Sequence, residues 1–146
     1  MGWKSAIGVT LTAMATHAAD LKTVEKGAFS GIQDPLQVVV TNQTQWAQLW
    51  TKHTARKEPK EPPPEIDFQK QSVIVVTMGR KNTGGYALEI TDVRRSGDKT
   101  EVIVTSREPK AGGFSIQALT APFHMVQVPK IEGQVEFKNA ENKKGG

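Results

Sequence analysis

A chain of 146 residues with 37% hydrophobic and 23% charged residues is long enough for one buried core and too apolar to stay disordered. Its formal net charge of +4 is spread along the whole length among 15 acidic residues, the pattern of a solvated surface and not of a nucleic-acid footprint. There is no cysteine, which excludes disulfide staples, thiolate metal sites, a lipid-modified cysteine and a cysteine nucleophile.

In chain order, Lys4 is followed by an uncharged stretch of apolar and small residues, Ser5 to Ala15, and then by Thr16-His17-Ala18. Small residues one and three positions before a cut after Ala18 suit a signal peptidase, so residues 1–18 read as a secretory signal. The alternative is an ordinary N-terminal helix or strand. Residues 19–138 then form a single β-rich domain, and 139–146 a flexible polar tail. No other run reaches the roughly 18 to 20 apolar residues a membrane helix needs, so no membrane insertion is expected after signal removal. An exported protein without cysteine fits a bacterial periplasmic or secreted setting.

Val24 to Ile32 and Leu36 to Thr41 are strand-like and punctuated by Gly31 and Asp34-Pro35, which predicts a first hairpin. Trp46, Leu49, Trp50 and His53 recur at helical spacing behind Asn42 or Thr44 as N-cap, with the tryptophans expected against a sheet. The prolines of Glu58 to Glu65 stop that helix and make a stiff strap. Val73 to Met78 is apolar at both parities, as a central strand is. Strands follow at Tyr86 to Ile90, Thr100 to Ser106, Phe123 to Val128 and Gln134 to Lys138, separated by Ser96-Gly97-Asp98 and by Glu108 to Gly113. The fold class is therefore mainly β, an antiparallel β-sandwich with one packed N-terminal α-helix; an immunoglobulin-like arrangement is one form of it.

Chemistry is sparse. His53 and His124 lack metal-ligand spacing and read as structural, no serine sits in a nucleophile elbow, and no phosphate-binding loop is present. No catalytic residue, metal or cofactor is expected. The one conspicuous loop is Asn82-Thr83-Gly84-Gly85-Tyr86, which is either a plain hairpin connection or a recognition edge. Two further turns, Gly112-Gly113-Phe114 and Pro122-Phe123, complete a series of three loops whose aromatics are candidate contacts for a protein partner. The competing expectation buries Tyr86 and Phe123 as strand-start residues. A small-ligand or enzymatic site between helix and sheet, using His53, His124 or a carboxylate, is the other class of reading.

The helix Trp46 to His53, Asp67-Phe68, the Thr83-Gly84-Gly85-Tyr86 turn and Thr120-Ala121-Pro122-Phe123-His124-Met125-Val126, taken together, resemble the C-terminal domain of the protease complex subunit PrcB family, over most of the mature chain, from about the helix to Pro129. The resemblance implies an exported bacterial accessory domain that stabilises or assembles a protease and has no catalytic residues of its own. The order of Asn82 to Tyr86, Ala111 to Phe114 and Ala121 to Phe123 is also similar to the three loops of chagasin-type cysteine-peptidase inhibitors. It departs from that pattern in having no proline after Asn82 and Ala121 in place of an arginine.

Overall fold

The strand that carries the apolar run from Val73 is the centre of the molecule. In the computed structural model, which describes residues 17–113 and 115–140, Gln71–Met78 (β4) lies between Phe123–Pro129 (β7) and Pro35–Val40 (β3), and Lys22–Gly27 (β2) closes the far side of β7. All three pairings in this sheet are antiparallel. A second sheet has the order β1-β5-β6-β8, with His17–Ala18 (β1), Ala87–Ser96 (β5), Lys99–Arg107 (β6) and Gln134–Asn139 (β8). One helix, Gln43–His53 (α1), is found among the described residues.

Side-chain parity sorts the core into two layers. Ile74 and Val76 of β4 and Val126 and Val128 of β7 face the second sheet and pack on Leu88, Ile90, Val93, Val102 and Val104. The alternate residues Val73, Val75, Phe123 and Met125 face the other way and pack on Trp46 and Trp50 of α1. A strand buried on both faces needs apolar residues at both parities, and β4 has them from Val73 to Val76. The protein is thus sheet on sheet with a helix on the outer face.

The helix forms as its pattern requires. Asn42 caps it by accepting the Gln45 N–H at 2.8 Å, and Trp46 and Trp50 are buried. The proline strap covers those indoles and accepts their N–H groups, Trp46 on the Pro64 carbonyl at 2.9 Å and Trp50 on the Glu61 carbonyl at 3.0 Å. A buried tryptophan needs such a partner.

Two details depart from the sequence expectations. The expected first hairpin is absent: β2 ends at Gly27, and β2 and β3 lie at opposite edges of one sheet. Residues 28–34 are drawn off the sheet by Ser30 N–H to Ala121 carbonyl at 3.0 Å and Gly31 N–H to His53 carbonyl at 2.8 Å. The sandwich is also not wholly antiparallel, because β8 runs parallel to β6 from the pair Lys99 and Gln134. Gly133 makes that start possible: at φ +87 it lets Gln134 N–H reach the Asp98 carbonyl, where a Cβ would sit 2.1 Å from that oxygen.

At the N-terminal side, His17 and Ala18 pair with Arg95 and Arg94, just before the expected cleavage point; residues 1–16 lie outside the described residues. At the other end β8 runs through Asn139, and residues 141–146 of the expected tail likewise lie outside.

Candidate functional site

Two β-bulges decide where the polar groups of this molecule go. In β2 the register shifts between Thr23, opposite Val126, and Glu25, opposite Met125. Strict alternation would put Thr23 and Glu25 on one face; the extra residue, Val24, sends them to opposite faces. Thr23 meets His124 between the sheets, with Oγ1 2.9 Å from Nε2. Glu25 meets His53 under the helix, with Oε1 2.8 Å from Nε2. In β5 a second bulge between Ile90 and Asp92 accompanies an Ile90 N–H that points out of its own sheet to His124 Nδ1 at 2.9 Å.

His124 is 2% exposed and bonded at both ring nitrogens. Because Nδ1 accepts from an amide, Nε2 carries the hydrogen and donates to Thr23. Burial pushes its pKa below the ordinary histidine value, the nearby Lys26 charge adds to that, and Glu89 partly opposes it. His124 therefore acts as a neutral rivet between the sheets.

His53 has different company. Its ring stands edge-on to Phe123 at 4.5 Å between centroids and 5.2 Å from Trp50. Nδ1 lies 2.8 Å from Ser30 Oγ, which also accepts the Ile32 N–H at 3.0 Å. The Glu25 carboxylate can only accept, so Nε2 carries a hydrogen toward it, and in the neutral ring Nδ1 accepts the Ser30 hydroxyl hydrogen. Gly31 enforces this placement, since its amide caps the last turn of α1 and a Cβ there would lie 2.3 Å from the Lys52 carbonyl oxygen. The order serine, histidine, carboxylate is that of a hydrolytic triad. Here, however, the hydroxyl is buried and the amides of Ser30, Gly31 and Ala121 are all bonded to carbonyls, so they are not free to hold an oxyanion.

Beside His53 opens a cavity of about 440 Å³. Buried Phe123 and Ala121 line it deep down, and exposed Gly27, Phe29, Leu119, Arg56 and Arg80 line it toward the surface. Phe29 is 73% exposed and Leu119 51%. Both are unusual for residues of their size. Ile116, at 75%, is the third exposed large apolar side chain among the described residues, and it too is in the segment leading to β7.

Of the three loops expected to act together, Asn82 to Tyr86 is joined to this segment. Lys81 and Thr120 exchange backbone hydrogen bonds at 2.8 and 2.9 Å, Gly84 N–H reaches the Ile116 carbonyl at 2.8 Å, and Thr120 Oγ1 donates to the Thr83 carbonyl at 2.9 Å. Gly85, at φ +93, packs where a Cβ would be 3.0 Å from Pro109. Asn82 is exposed, and the Lys81 ammonium sits 5.0 Å from the half-buried Tyr86 ring. Gly112 and Gly113 lie exposed on the neighbouring turn, and Phe114 falls outside the described residues. Pro122 and Phe123 do not join this surface. Pro122 is buried with its carbonyl taken by Met78 N–H at 3.0 Å, and Phe123, 3% exposed, belongs to the core beneath His53.

This joined region ahead of β7 lies within the part of the chain that carries a family signature. Residues 72–129 match the family model described as PrcB C-terminal. No curated protein and no solved structure gives a significant match. The PrcB match runs from the start of β4 to the end of β7, so it bears out the resemblance for the two inner strands, for β5 and β6 and for both loops. The helix and Asp67-Phe68, which also prompted the resemblance, lie before the matched residues. Of the cavity, Arg80 and Leu119 to Phe123 are within the PrcB-matched segment; Glu25 to Gln33, His53 and Arg56 are outside it.

Sequence reasoning missed Glu25, Phe29, Ser30, Arg56, Arg80 and Leu119. One signal was there: a lone phenylalanine between small residues in Gly27-Ala28-Phe29-Ser30-Gly31 is an apolar side chain on a segment that strands do not favour. Among the described residues no cluster of histidine and carboxylate groups suits a metal ion, and no helix is long and apolar enough to cross a membrane.

Proposed function

We propose that this protein is an exported, non-catalytic binding domain that docks on a protease as an accessory or stabilising subunit. The PrcB match supports the protease association. The observation that carries the binding role is that Phe29 and Leu119, exposed and apolar, line one cavity, with the exposed Ile116 three residues before Leu119 in the segment joined to Thr83-Gly84. Monomeric soluble surfaces seldom leave large apolar side chains together without a partner to cover them. The inhibitor reading is the lesser one, since a buried Pro122 and Phe123 leave two surface loops where the chagasin arrangement uses three.

A photo-crosslinking amino acid at Ile116, introduced in the native host, tests this. The expected product is one adduct containing a peptidase, absent when the crosslinker stands at Glu132, in the turn between β7 and β8. Equal adducts from both positions, or an adduct without a peptidase, would overturn the reading.

A further inference from the structure

We infer that the cavity beside His53 receives an apolar side chain carried on an acidic peptide segment of the partner. This deepens the binding role and rests on it. The apolar half of the recognition comes from the lining: Phe123 and Ala121 form a buried apolar base, and Phe29 and Leu119 extend it to the surface. The rim is held in place. Phe29 and Ala121 form an isolated β-bridge, flanked by Ser30 N–H to Ala121 carbonyl at 3.0 Å and Ala121 N–H to Ala28 carbonyl at 2.7 Å. A volume of about 440 Å³ lies within the usual range of ligand pockets and has room for one or two side chains.

The acidic half comes from charge. Four cationic residues, Lys26, Arg56, Lys57 and Arg80, line the cavity with one carboxylate, Glu25. Glu25 is engaged already, with one oxygen on His53 at 2.8 Å and the other 3.9 Å from Lys57. Lys26 faces Glu89 at 3.3 Å. Among the described residues Arg56 and Arg80 have no ion pair and no side-chain hydrogen bond. Two exposed guanidinium groups without internal partners, set beside an apolar pocket, favour a ligand that brings carboxylates on either side of its apolar residue. Arginine is also the cation most often found at energetically dominant interface positions.

The test is fluorescence anisotropy with the purified full chain and three labelled octapeptides at low ionic strength. One has a central Leu-Phe pair flanked by glutamates, the second the same pair flanked by lysines, and the third a Ser-Ser centre flanked by glutamates. The first should bind about tenfold more tightly than the other two, and added salt should weaken it. Arg56→Glu combined with Arg80→Glu, both exposed and unpaired, should fold normally by thermal melting, lose that binding and prefer the lysine-flanked peptide. Leu119→Ser should weaken binding with the charge preference kept. Equal binding of all three probes, or a charge-reversed variant that still prefers glutamates, would overturn the inference. So would a serine-centred probe that binds as well as the apolar one, since that describes a general polyanion site. The outcome is separable from the protease assignment. Selective binding of the first probe without a peptidase adduct at Ile116 would remove only the protease; a peptidase adduct untouched by the double arginine reversal would remove only the acidic-peptide recognition.

Discussion

The two faces of the central sheet each bury a histidine, and the two are used in opposite ways. On the inner face His124 has a hydroxyl and a backbone amide for partners, and its pKa is pushed below the ordinary value by burial. On the outer face His53 has a serine and a carboxylate, two aromatic neighbours and an open cavity rimmed with arginine. One strand serves both, because the bulge in β2 turns Thr23 inward and Glu25 outward. The lesson is that partner chemistry, more than burial, separates a rivet from a site. Neutral partners hold an uncharged ring in a closed interior; a charged partner belongs where solvent and ligands can reach it.

The sharpest way to break this contrast is His124→Leu. It keeps bulk on the inner face but strands the Ile90 N–H in the interior and removes the ring partner of the Thr23 hydroxyl, and leaving a buried donor unpaired is costly. We expect a loss of about 2 to 4 kcal/mol in urea unfolding, with no change in peptide binding at the cavity. A loss under about 0.5 kcal/mol, the usual range for a surface change, would mean that the sheets are held by apolar packing alone.

Next in size is Gly31→Ala. Its Cβ would meet the Lys52 and His53 carbonyl oxygens at 2.3 and 2.9 Å, both backbone atoms that cannot move without unwinding the last turn of α1. The expected cost is about 1 to 3 kcal/mol by the same measurement. Unlike His124→Leu, it should also abolish binding at the cavity, because Phe29 and Ser30 move with Gly31.

The pH dependence of stability separates the faces more gently. With the folded pKa of His124 lowered, the unfolded chain binds more protons as the pH falls, so acid favours unfolding. The contribution of His124 is complete above the unfolded value of about 6.5, is lost as the pH drops below it, and levels off below the lowered folded value. The difference between the wild type and His124→Leu should therefore shrink from pH 7 to pH 5. A constant difference over that range would show that His124 takes up its proton equally in both states.

How much of this was legible beforehand differs between the scaffold and the site. Apolar periodicity marked the helix and the central strand, because those residues bury a fixed face and the spacing records it, while the cap stayed open between Asn42 and Thr44 until the structure showed Asn42. The bulges left no such mark. Val24 and Thr91 are ordinary strand residues, so Val24 to Ile32 read as one strand and the inward switch from Ile90 to Val93 passed unseen. Asp34-Pro35 looked like the turn of a hairpin, yet β3 pairs with β4 and β2 with β7, since strand pairing is set by contacts far apart in sequence. The Thr83-Gly84-Gly85 turn was visible as a loop through its glycines, although Gly85, not Gly84, takes the positive φ. The cavity was not visible at all. Its lining comes from stretches as distant as Glu25 and Phe123, which only the folded chain brings together.

The smallest effect expected is that of Glu25→Gln, and it bears on why a carboxylate stands beneath the helix. The substituted amide would keep an oxygen able to accept the His53 Nε2–H, so geometry and packing are retained and only the charge is removed. Because the Glu25 side chain is 33% exposed, solvent screens its attraction to His53 and Lys57, and the loss of stability should stay below about 1 kcal/mol. Binding should move the other way. With the one acidic group of the cavity neutralised, the glutamate-flanked peptide meets its cationic lining without a lining carboxylate to repel it and should bind somewhat more tightly in the anisotropy titration. A large destabilisation with weakened binding would make Glu25 a structural anchor equivalent to the Ile90 amide on the other face. A small one with tighter binding keeps the two histidines distinct, one closed inside the fold and one at the edge of a surface made to be covered.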